Sequence, residues 1–117
     1  MSLQIEMEQH RKALIVRLKG ELDHHSAEAV KARLEEAIER GDGLYMILSL
    51  RDLEFMDSSG LGVILGRYKQ IMSKGGRMIV CGVNSNMYRL FEMSGLFKII
   101  TMEDSEKSAL SSLGVAL

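Results

Sequence analysis

The side chains best placed to do chemistry in this chain stand together in Asp57-Ser58-Ser59-Gly60. Asp is a favoured N-cap residue because its carboxylate accepts hydrogen bonds from the free amides of a first helical turn. An apolar run precedes the segment and a helical pattern follows it, so Asp57 predicts a helix start with Ser58 and Ser59 in the first turn. A phosphoryl group on either serine would meet amides that carry partial positive charge.

Three glycines, Gly60, Gly62 and Gly66, continue this segment. Each lowers helix propensity by up to about 1 kcal/mol relative to Ala. Their spacing therefore indicates a close approach, either of another chain at the helix start or of a neighbouring strand. The pattern GxGxxxG departs from the dinucleotide-binding GxGxxG, and no acid follows the next apolar run. The Gly-Lys-Ser/Thr of a phosphate-binding loop is absent as well.

Catalysis at this segment is disfavoured by what surrounds it. A hydrolase elbow needs Gly-x-Ser-x-Gly, but Met56 stands where the first glycine would be. The histidines available as a base are His10, His24 and His25. A phosphoaccepting Asp57 of the receiver type would need further acids to hold a metal ion, and no terminal acidic pair is present. Two interpretations remain from the residues alone: a modification site, or a capped helix start with no regulatory role.

Neither the histidine pair nor the cysteine predicts a metal site. Adjacent side chains in Asp23-His24-His25 diverge, and no third ligand is indicated, so this run is interpreted as a solvated helix start. Cys81 is the single cysteine, which excludes an internal disulfide and any multi-cysteine metal centre. Its place in an apolar run predicts a small core residue.

The N-terminal region predicts a β-hairpin. Apolar and polar residues alternate from Leu3 to Glu8 and again from Leu14 to Lys19, with a polar break at residues 9–12. A period of two is typical of half-buried strands. The break has no Asn-Gly turn signal, so the sequence leaves the register open.

Helical spacing of apolar residues predicts four helices. The first begins near Asp23 or Ser26 and is stopped by Gly41-Asp42-Gly43, and the second ends at Gly75-Gly76. A third carries Met87 to Phe91, and a short fourth carries Ala109, Leu110 and Leu113.

Three apolar runs without alternation predict strands covered on both faces: Leu44–Leu50, Met78–Val83 and Leu96–Met102. The predicted order is β-β-α-β-α-β-α-β-α. Strands that alternate with helices imply right-handed crossovers and a mostly parallel sheet. The fold class is therefore α/β, with residues 1–117 as a single domain, a mixed and mostly parallel sheet, an N-terminal hairpin and about four helices. Whether the helices cover one face of the sheet or both stays open.

Composition and charge argue against two classes of partner, nucleic acids and membranes. The chain has 117 residues with a formal net charge of -1. Near-neutral charge without a basic run argues against nucleic-acid binding. No apolar run approaches the roughly 20 residues that span a bilayer. The first residues lack the pattern of a secretory signal. We therefore expect a cytoplasmic protein with neither nucleic-acid nor membrane partners.

Three segments together resemble the markers of STAS domains. They are Gly20-Glu21-Leu22-Asp23, the run from Asp57 to Val63, and Met93-Ser94-Gly95-Leu96. The resemblance covers about Leu3 to Ala116 in the expected order, and Phe55 to Lys69 is its most specific part. Within the family the chain is most similar to the anti-sigma factor antagonists of the sporulation sigma-F pathway in spore-forming bacilli.

The resemblance implies a regulatory role by partner switching and no enzymatic activity. Its first serine, here Ser58, would be the phosphorylation site. The unphosphorylated antagonist would bind an anti-sigma factor that is also a serine kinase. This binding would release the sigma factor. Phosphorylation would end binding and a serine phosphatase would restore it. ATP would serve the kinase, and the domain itself would need no cofactor or metal. The residues assigned to partner binding are Asp23, Asp57, Ser58, Ser59, Gly60, Leu61, Gly62 and Arg67.

The alternative is a STAS module that binds a nucleotide or another small ligand through the same loop. Ser58 as an enzymatic nucleophile is a third class of function. Titration with ATP and GTP in the absence of a kinase tests whether the domain itself binds a nucleotide. Labelling with reactive serine probes tests whether Ser58 is an enzymatic nucleophile.

Overall fold

The computed structural model describes residues 3–41 and 44–117, which form a six-stranded mixed sheet packed with helices. The order of strands across the sheet is β1-β2-β3-β5-β6, and β4 pairs with β2 outside this path. The strands are β1 (Leu3–His10), β2 (Ala13–Leu22), β3 (Tyr45–Ser49), β4 (Leu53–Met56), β5 (Arg77–Cys81) and β6 (Thr101–Glu103). The helices are α1 (Ala27–Arg40), α2 (Ser58–Ser73), α3 (Ser85–Ser94) and α4 (Glu106–Ser112), with a 3-10 turn at Leu96–Lys98.

The predicted N-terminal hairpin is confirmed. β1 and β2 are antiparallel, with Leu3 opposite Gly20 and His10 opposite Ala13. The register leaves a two-residue turn, in which Arg11 takes the left-handed conformation at φ 55°. Tight hairpin turns favour positive φ because it matches the twist of the paired strands. The turn therefore sets the register without the usual Asn-Gly pair.

The interior strands are parallel and buried on both sides. β2 pairs with β3, β3 with β5 and β5 with β6, all in parallel. This arrangement explains why the apolar runs around residues 45–49 and 77–81 do not alternate. Both predicted strands are confirmed within one or two residues at each end.

Helices cover both faces of the sheet, which the sequence left open. One core cluster joins alternate strand residues such as Val16 and Leu48 to apolar residues of α1, α2 and α3. The other joins Ile15 and Ile47 to α4 and the C-terminal segment. Neighbouring residues of β2 and β3 thus contribute to opposite cores.

The prediction of one strand across Leu96–Met102 is wrong in its first half. Gly95 ends α3 in the left-handed conformation at φ 78°, and the chain continues as the 3-10 turn. Leu96 and Ile100 are buried while Ile99 between them is about half exposed, a spacing that suits a turn rather than a strand. The strand itself is only Thr101–Glu103.

The sequence also missed β4. This four-residue strand buries Leu53 and Met56 but exposes Glu54 and Phe55, so it shows no period of two. It pairs in parallel with Gly20, Glu21 and Leu22, beyond the end of β3. Its position carries the chain to the carboxyl end of β2, where α2 begins.

Asp42 and Gly43, which were expected to help stop the first helix, lie outside the described residues; Gly41 is the C-cap of α1. Across the described ranges, no helix is both long and apolar enough to span a bilayer.

Candidate functional site

The carboxylate of Asp57 organises the start of α2. Asp57 is extended, at φ -110° and ψ -170°, and its Oδ1 accepts from the amide of Ser59 at 2.9 Å and from that of Gly60 at 3.4 Å. The predicted N-cap is therefore confirmed. Ser58 is the first helical residue and is exposed, whereas Ser59 is half-buried. The exposed Ser58 thus lies at the positive end of a 16-residue helix.

Asp23 holds the neighbouring turn, at the end of β2. Its Oδ1 accepts from the amides of His25 at 2.9 Å and Ser26 at 3.1 Å, and the residue is only 6% exposed. Burial would raise the pKa of this carboxyl, but the backbone donors of Ser26 and His25, together with the nearby imidazoles of His25 and His24, outweigh burial, and the pKa lies below its ordinary value. Asp23 is therefore an anion fixed within its own turn.

Asp23 and Ser26, the two predicted caps of the first helix, form hydrogen bonds that differ from those expected of a cap. Ser26 occupies the N-cap position of α1, yet its side chain makes no capping bond to the helix. Its Oγ donates to the carbonyl of Glu21 at 2.9 Å and accepts from the amide of Asp23 at 3.1 Å. Asp23 instead satisfies the amides of the turn before α1. In the described ranges, no hydrogen bond joins Asp23 to Ser58.

His24 links the two loops, a role that sequence reasoning missed. Its amide donates to Oδ2 of Asp57 at 3.3 Å, and its Nδ1 lies 3.8 Å from the same oxygen. The ring is 69% exposed. Asp57 therefore caps α2 with one oxygen and holds the end of β2 with the other. In the sequence, His24 stands in a polar run directly after a strand. Such a run does not reveal that the loop of Asp57 lies beside it.

Gly60 is required by close packing inside the domain. A Cβ at this position would lie 3.0 Å from Cγ of Leu22 and would collide with the side chain of Met56. The glycines were expected to allow close approach of either another chain or a neighbouring strand. Gly60 allows close approach of the neighbouring strands β2 and β4. It sets how deeply the start of α2 sits on the sheet.

Gly62 and Gly66 serve no internal packing. A Cβ at either position would meet no atom within 4 Å. Both line a groove of about 390 Å³ between α1 and α2, here called the α1–α2 groove, which is also bordered by His24, Lys31, Ser59 and Arg67. Leu61 is half-buried and packs on the main core. The groove is continuous with the start of α2 that carries Ser58.

Arg67 lies in the wall of this groove rather than on the open surface. Its side chain is 9% exposed, and Nη2 lies 3.5 Å from Oε2 of Glu35 on α1. The assignment of Arg67 to partner binding remains a prediction, and the structure shows that the residue also packs between two helices.

No machinery for a reaction at Ser58 is assembled in the described residues. His24 contacts Asp57, and within 3–41 and 44–117 no hydrogen bond joins a base to Ser58. No group of three His, Cys, Asp or Glu residues in those ranges is arranged to hold a metal ion.

A larger cavity of about 700 Å³ lies elsewhere, beside α4 and the ends of β3 and β5. Arg17 at its edge donates to both carboxylate oxygens of Glu106, at 2.7 and 2.8 Å. Cys81 in its wall is a buried core residue, as predicted, and burial raises the pKa of its thiol to about 11. Burial thus disfavours the thiolate, which is the nucleophilic form of cysteine.

Comparison with known proteins identifies the family. Residues 4–109 match the model of the STAS domain. The chain is 59% identical to the anti-sigma F factor antagonist of Paenibacillus polymyxa over 98% of both chains.

Solved structures of the anti-sigma factor antagonist SpoIIAA share the fold. Its unphosphorylated form is 32% identical to this chain, with a TM-score of 0.74 over 97% of this chain and 98% of the other. The phosphorylated form of the Bacillus protein is 33% identical, with a TM-score of 0.74 over 94% and 99%. Sequence, fold and the capped serine loop agree, and the chain belongs to the STAS family, among the anti-sigma factor antagonists of the SpoIIAA type.

Proposed function

We propose that this protein is a partner-switching antagonist whose state is set by phosphorylation of Ser58. The unphosphorylated form binds an anti-sigma factor that is also a serine kinase, and this binding releases the sporulation sigma factor sigma-F. The kinase then transfers the γ-phosphoryl group of ATP to Ser58 and the antagonist dissociates. The observation that carries the proposal is the exposed hydroxyl of Ser58 on the first residue of a helix capped by Asp57.

The relatives support this proposal. SpoIIAA has been solved in an unphosphorylated and in a phosphorylated form, and both resemble this chain over nearly its whole length. A protein with two such forms is a substrate of a kinase, and a phosphatase is needed to reverse the change. We accordingly propose a serine phosphatase as a second partner. The antagonist itself is proposed to need neither catalytic activity nor a cofactor, and to act in the cytoplasm.

The proposed docking surface is the start of α2 with the adjoining groove. Ser58, Ser59 and Leu61 are placed on the surface or half-buried beside it. Gly62 leaves the helix surface open, and Gly60 fixes its height above the sheet. Asp23 and Asp57 hold the two loops that frame the serine.

Phosphorylation acts locally in this proposal. It adds about 1.5 to 2 negative charges and three acceptor oxygens at Ser58. The amides and dipole of α2 tolerate such a group, so the fold stays intact. The carboxylates of Asp57 and Asp23 already concentrate negative charge there, on a chain whose formal net charge is only -1. The charge and the size of the phosphate then prevent Ser58 from fitting the partner surface that accommodates the neutral serine.

The direct test is incubation with the purified anti-sigma factor and ATP, followed by intact mass and peptide mapping. The expected result is the addition of one phosphoryl group, located on Ser58. Phosphate on Ser59 alone would overturn the assignment, and absence of phosphate with a kinase active on its own cognate antagonist would overturn the proposal.

A further inference from the structure

Phe55 leaves an aromatic ring open to solvent close to the switch serine. The residue is 50% exposed, and the aromatic pairs of the described residues do not include it. It stands three residues before Ser58, so the Cα atoms of the two residues are at most about 11 Å apart. Single exposed apolar side chains are common on protein surfaces, and exposure alone assigns no function. The pairing of β4 shows why this ring is on the surface.

A β-bulge in β4 turns Phe55 outward. Between Leu53 and Phe55 the pairing advances by two residues on β4 but by one on β2, which leaves Glu54 as the extra residue. Side chains of an unbroken strand alternate between its faces, and a bulge shifts that alternation by one residue. Alternation from the buried Leu53 would bury Phe55 and expose Met56. Instead Met56 is 6% exposed and Phe55 is half exposed.

The packing of α2 explains the bulge but not the aromatic ring. A Cβ on Gly60 would collide with the side chain of Met56, so the inward position of Met56 sets how α2 sits on the sheet. Position 55 is then turned outward, where a polar residue would suit the surface. A large apolar ring at this place forgoes the stabilisation that burial provides. Contact with another protein would recover that burial.

The footprint of a partner at Ser58 includes Phe55. An interface of standard size covers about 800 Å² on each protein, which is a disc of roughly 16 Å radius. A disc centred on Ser58 therefore reaches Phe55, whose Cα is at most about 11 Å away. Met72 is similarly exposed but lies 14 residues along α2, about 21 Å from Ser58. Tyr88 is as exposed as Phe55, but its ring packs on Phe97 with the centroids 4.2 Å apart.

We infer that Phe55 is a hydrophobic anchor for the anti-sigma factor, and that its ring enters an apolar pocket on that partner. The inference rests on the proposed function, since it concerns the same partner, and adds the chemistry of one contact. A kinase that reaches the hydroxyl of Ser58 approaches this end of α2, and closing over the ring removes apolar surface from water. Aromatic residues are enriched at the buried centre of protein interfaces. Phe55 supplies affinity in this account, whereas Ser58 sets the state of the switch.

The test compares Phe55→Ala and Phe55→Leu with Met72→Ala, a control of similar exposure outside the proposed footprint. Affinity for the purified anti-sigma factor is measured by calorimetry with a non-hydrolysable ATP analogue, which prevents phosphoryl transfer. Phe55→Ala should bind at least about thirtyfold more weakly, as expected of an anchor residue, and Phe55→Leu should lose less because it stays apolar. The control should stay within about twofold of wild type.

The outcomes distinguish the inference from the proposed function. Affinity of Phe55→Ala within about twofold of wild type would overturn the inference alone. Failure of the wild-type chain to bind the anti-sigma factor would overturn the proposed function. The melting temperature of Phe55→Ala should fall by no more than about 6 °C, because half of the residue is already in contact with water.

Ring signals of the wild-type protein give a readout that does not depend on the stability of a variant. The chain has three phenylalanines, Phe55, Phe91 and Phe97, and Phe91 is fully buried. In the complex, the isotope-labelled ring of Phe55 should show NOEs to methyl groups of the unlabelled anti-sigma factor, and Phe91 should show none. Phe55→Leu assigns the signal by its disappearance. Absence of intermolecular NOEs at Phe55 in a saturated complex would overturn the inference.

Phosphorylation kinetics separate binding from positioning. Phe55→Ala should raise the KM of the anti-sigma factor for this substrate at least about tenfold and leave kcat within about twofold, because an anchor contributes equally to the ground state and the transition state. A lower kcat with an unchanged KM would show that the ring positions the hydroxyl of Ser58 instead, and would overturn its role as an anchor.

Discussion

At the scale of residues, the two adjacent serines differ by their place in one capped turn. Ser58 follows the cap directly and is exposed, whereas the amide of Ser59 is tied to Asp57 Oδ1 and the residue is half-buried. The sequence could show that Asp57 caps a helix, because capping is a local interaction. It could not show that His24 bridges to Asp57 or that Arg67 is buried against Glu35, because those partners lie 33 and 32 residues away.

Substitutions at Ser58 should separate binding from switching. Ser58→Ala is expected to bind the anti-sigma factor like wild type and to resist inactivation by ATP, because a first-turn Ala perturbs the helix little. Ser58→Asp should bind more weakly as a partial mimic of the phosphate. Affinities from calorimetry with and without ATP give the comparison, with Ser59→Ala as a control that is still phosphorylated. Equal affinities of the Ala and Asp variants would contradict the switching role.

Removal of the cap should destabilise the domain. Asp57→Ala is expected to lower the free energy of unfolding by about 1–2 kcal/mol, because two amides of α2 and the amide of His24 lose their acceptor. Asp57→Asn keeps one acceptor oxygen and should lose less. Urea denaturation measures both. A loss as large for Asn as for Ala would show that charge rather than hydrogen bonding dominates.

At the scale of elements, the site is built where β2, β4 and α2 meet. The amide of Asp57 donates to the carbonyl of Leu22 at 3.3 Å, so the pairing of β4 with β2 runs directly into the helix. Periodicity predicted the long elements, because burial on one or both faces leaves a pattern in the sequence. It failed for β4, and it failed for the 3-10 turn at Leu96–Lys98, since short elements have too few residues to establish a period.

Glycines in one helix should respond in opposite directions to a methyl group. Gly60→Ala is expected to destabilise the protein by about 1–3 kcal/mol, because its Cβ would overlap Met56 and contact Leu22. Gly62→Ala should be neutral or stabilising by up to about 1 kcal/mol, since the added atom meets nothing. Thermal and urea unfolding check the pair. A stable Gly60→Ala protein would contradict the tight seat of α2 on the sheet.

At the scale of the whole molecule, a cluster of charged side chains joins β1 and β2 to α4. Arg17 on β2 joins Glu6 and Glu8 of β1, at 2.6 and 3.0 Å, to Glu106 of α4. The hydrogen bonds from Arg17 are the largest influence on the pKa of Glu106 and hold it below its ordinary value of 4.5. One guanidinium thereby ties the β1–β2 hairpin to α4.

This network should make stability depend on acid pH. A carboxyl whose folded pKa is lowered stabilises the protein above its unfolded pKa, and that contribution is lost as pH falls through the folded value. The free energy of unfolding should therefore decrease as the pH is lowered below about 4.5. Glu106→Gln should lower stability at pH 7 by about 1 kcal/mol and show a shallower acid decline. An identical acid profile in the variant would exclude Glu106 as a contributor.

The central claim is that a phosphate on Ser58 ends partner binding without remodelling the fold. NMR spectra and binding isotherms of the same protein before and after phosphorylation by the anti-sigma factor test it most directly. The account predicts at least about a tenfold loss of affinity, with amide shifts confined to the loop around Asp23 and the first turns of α2. Unchanged affinity, or backbone shifts spread through the sheet, would contradict it.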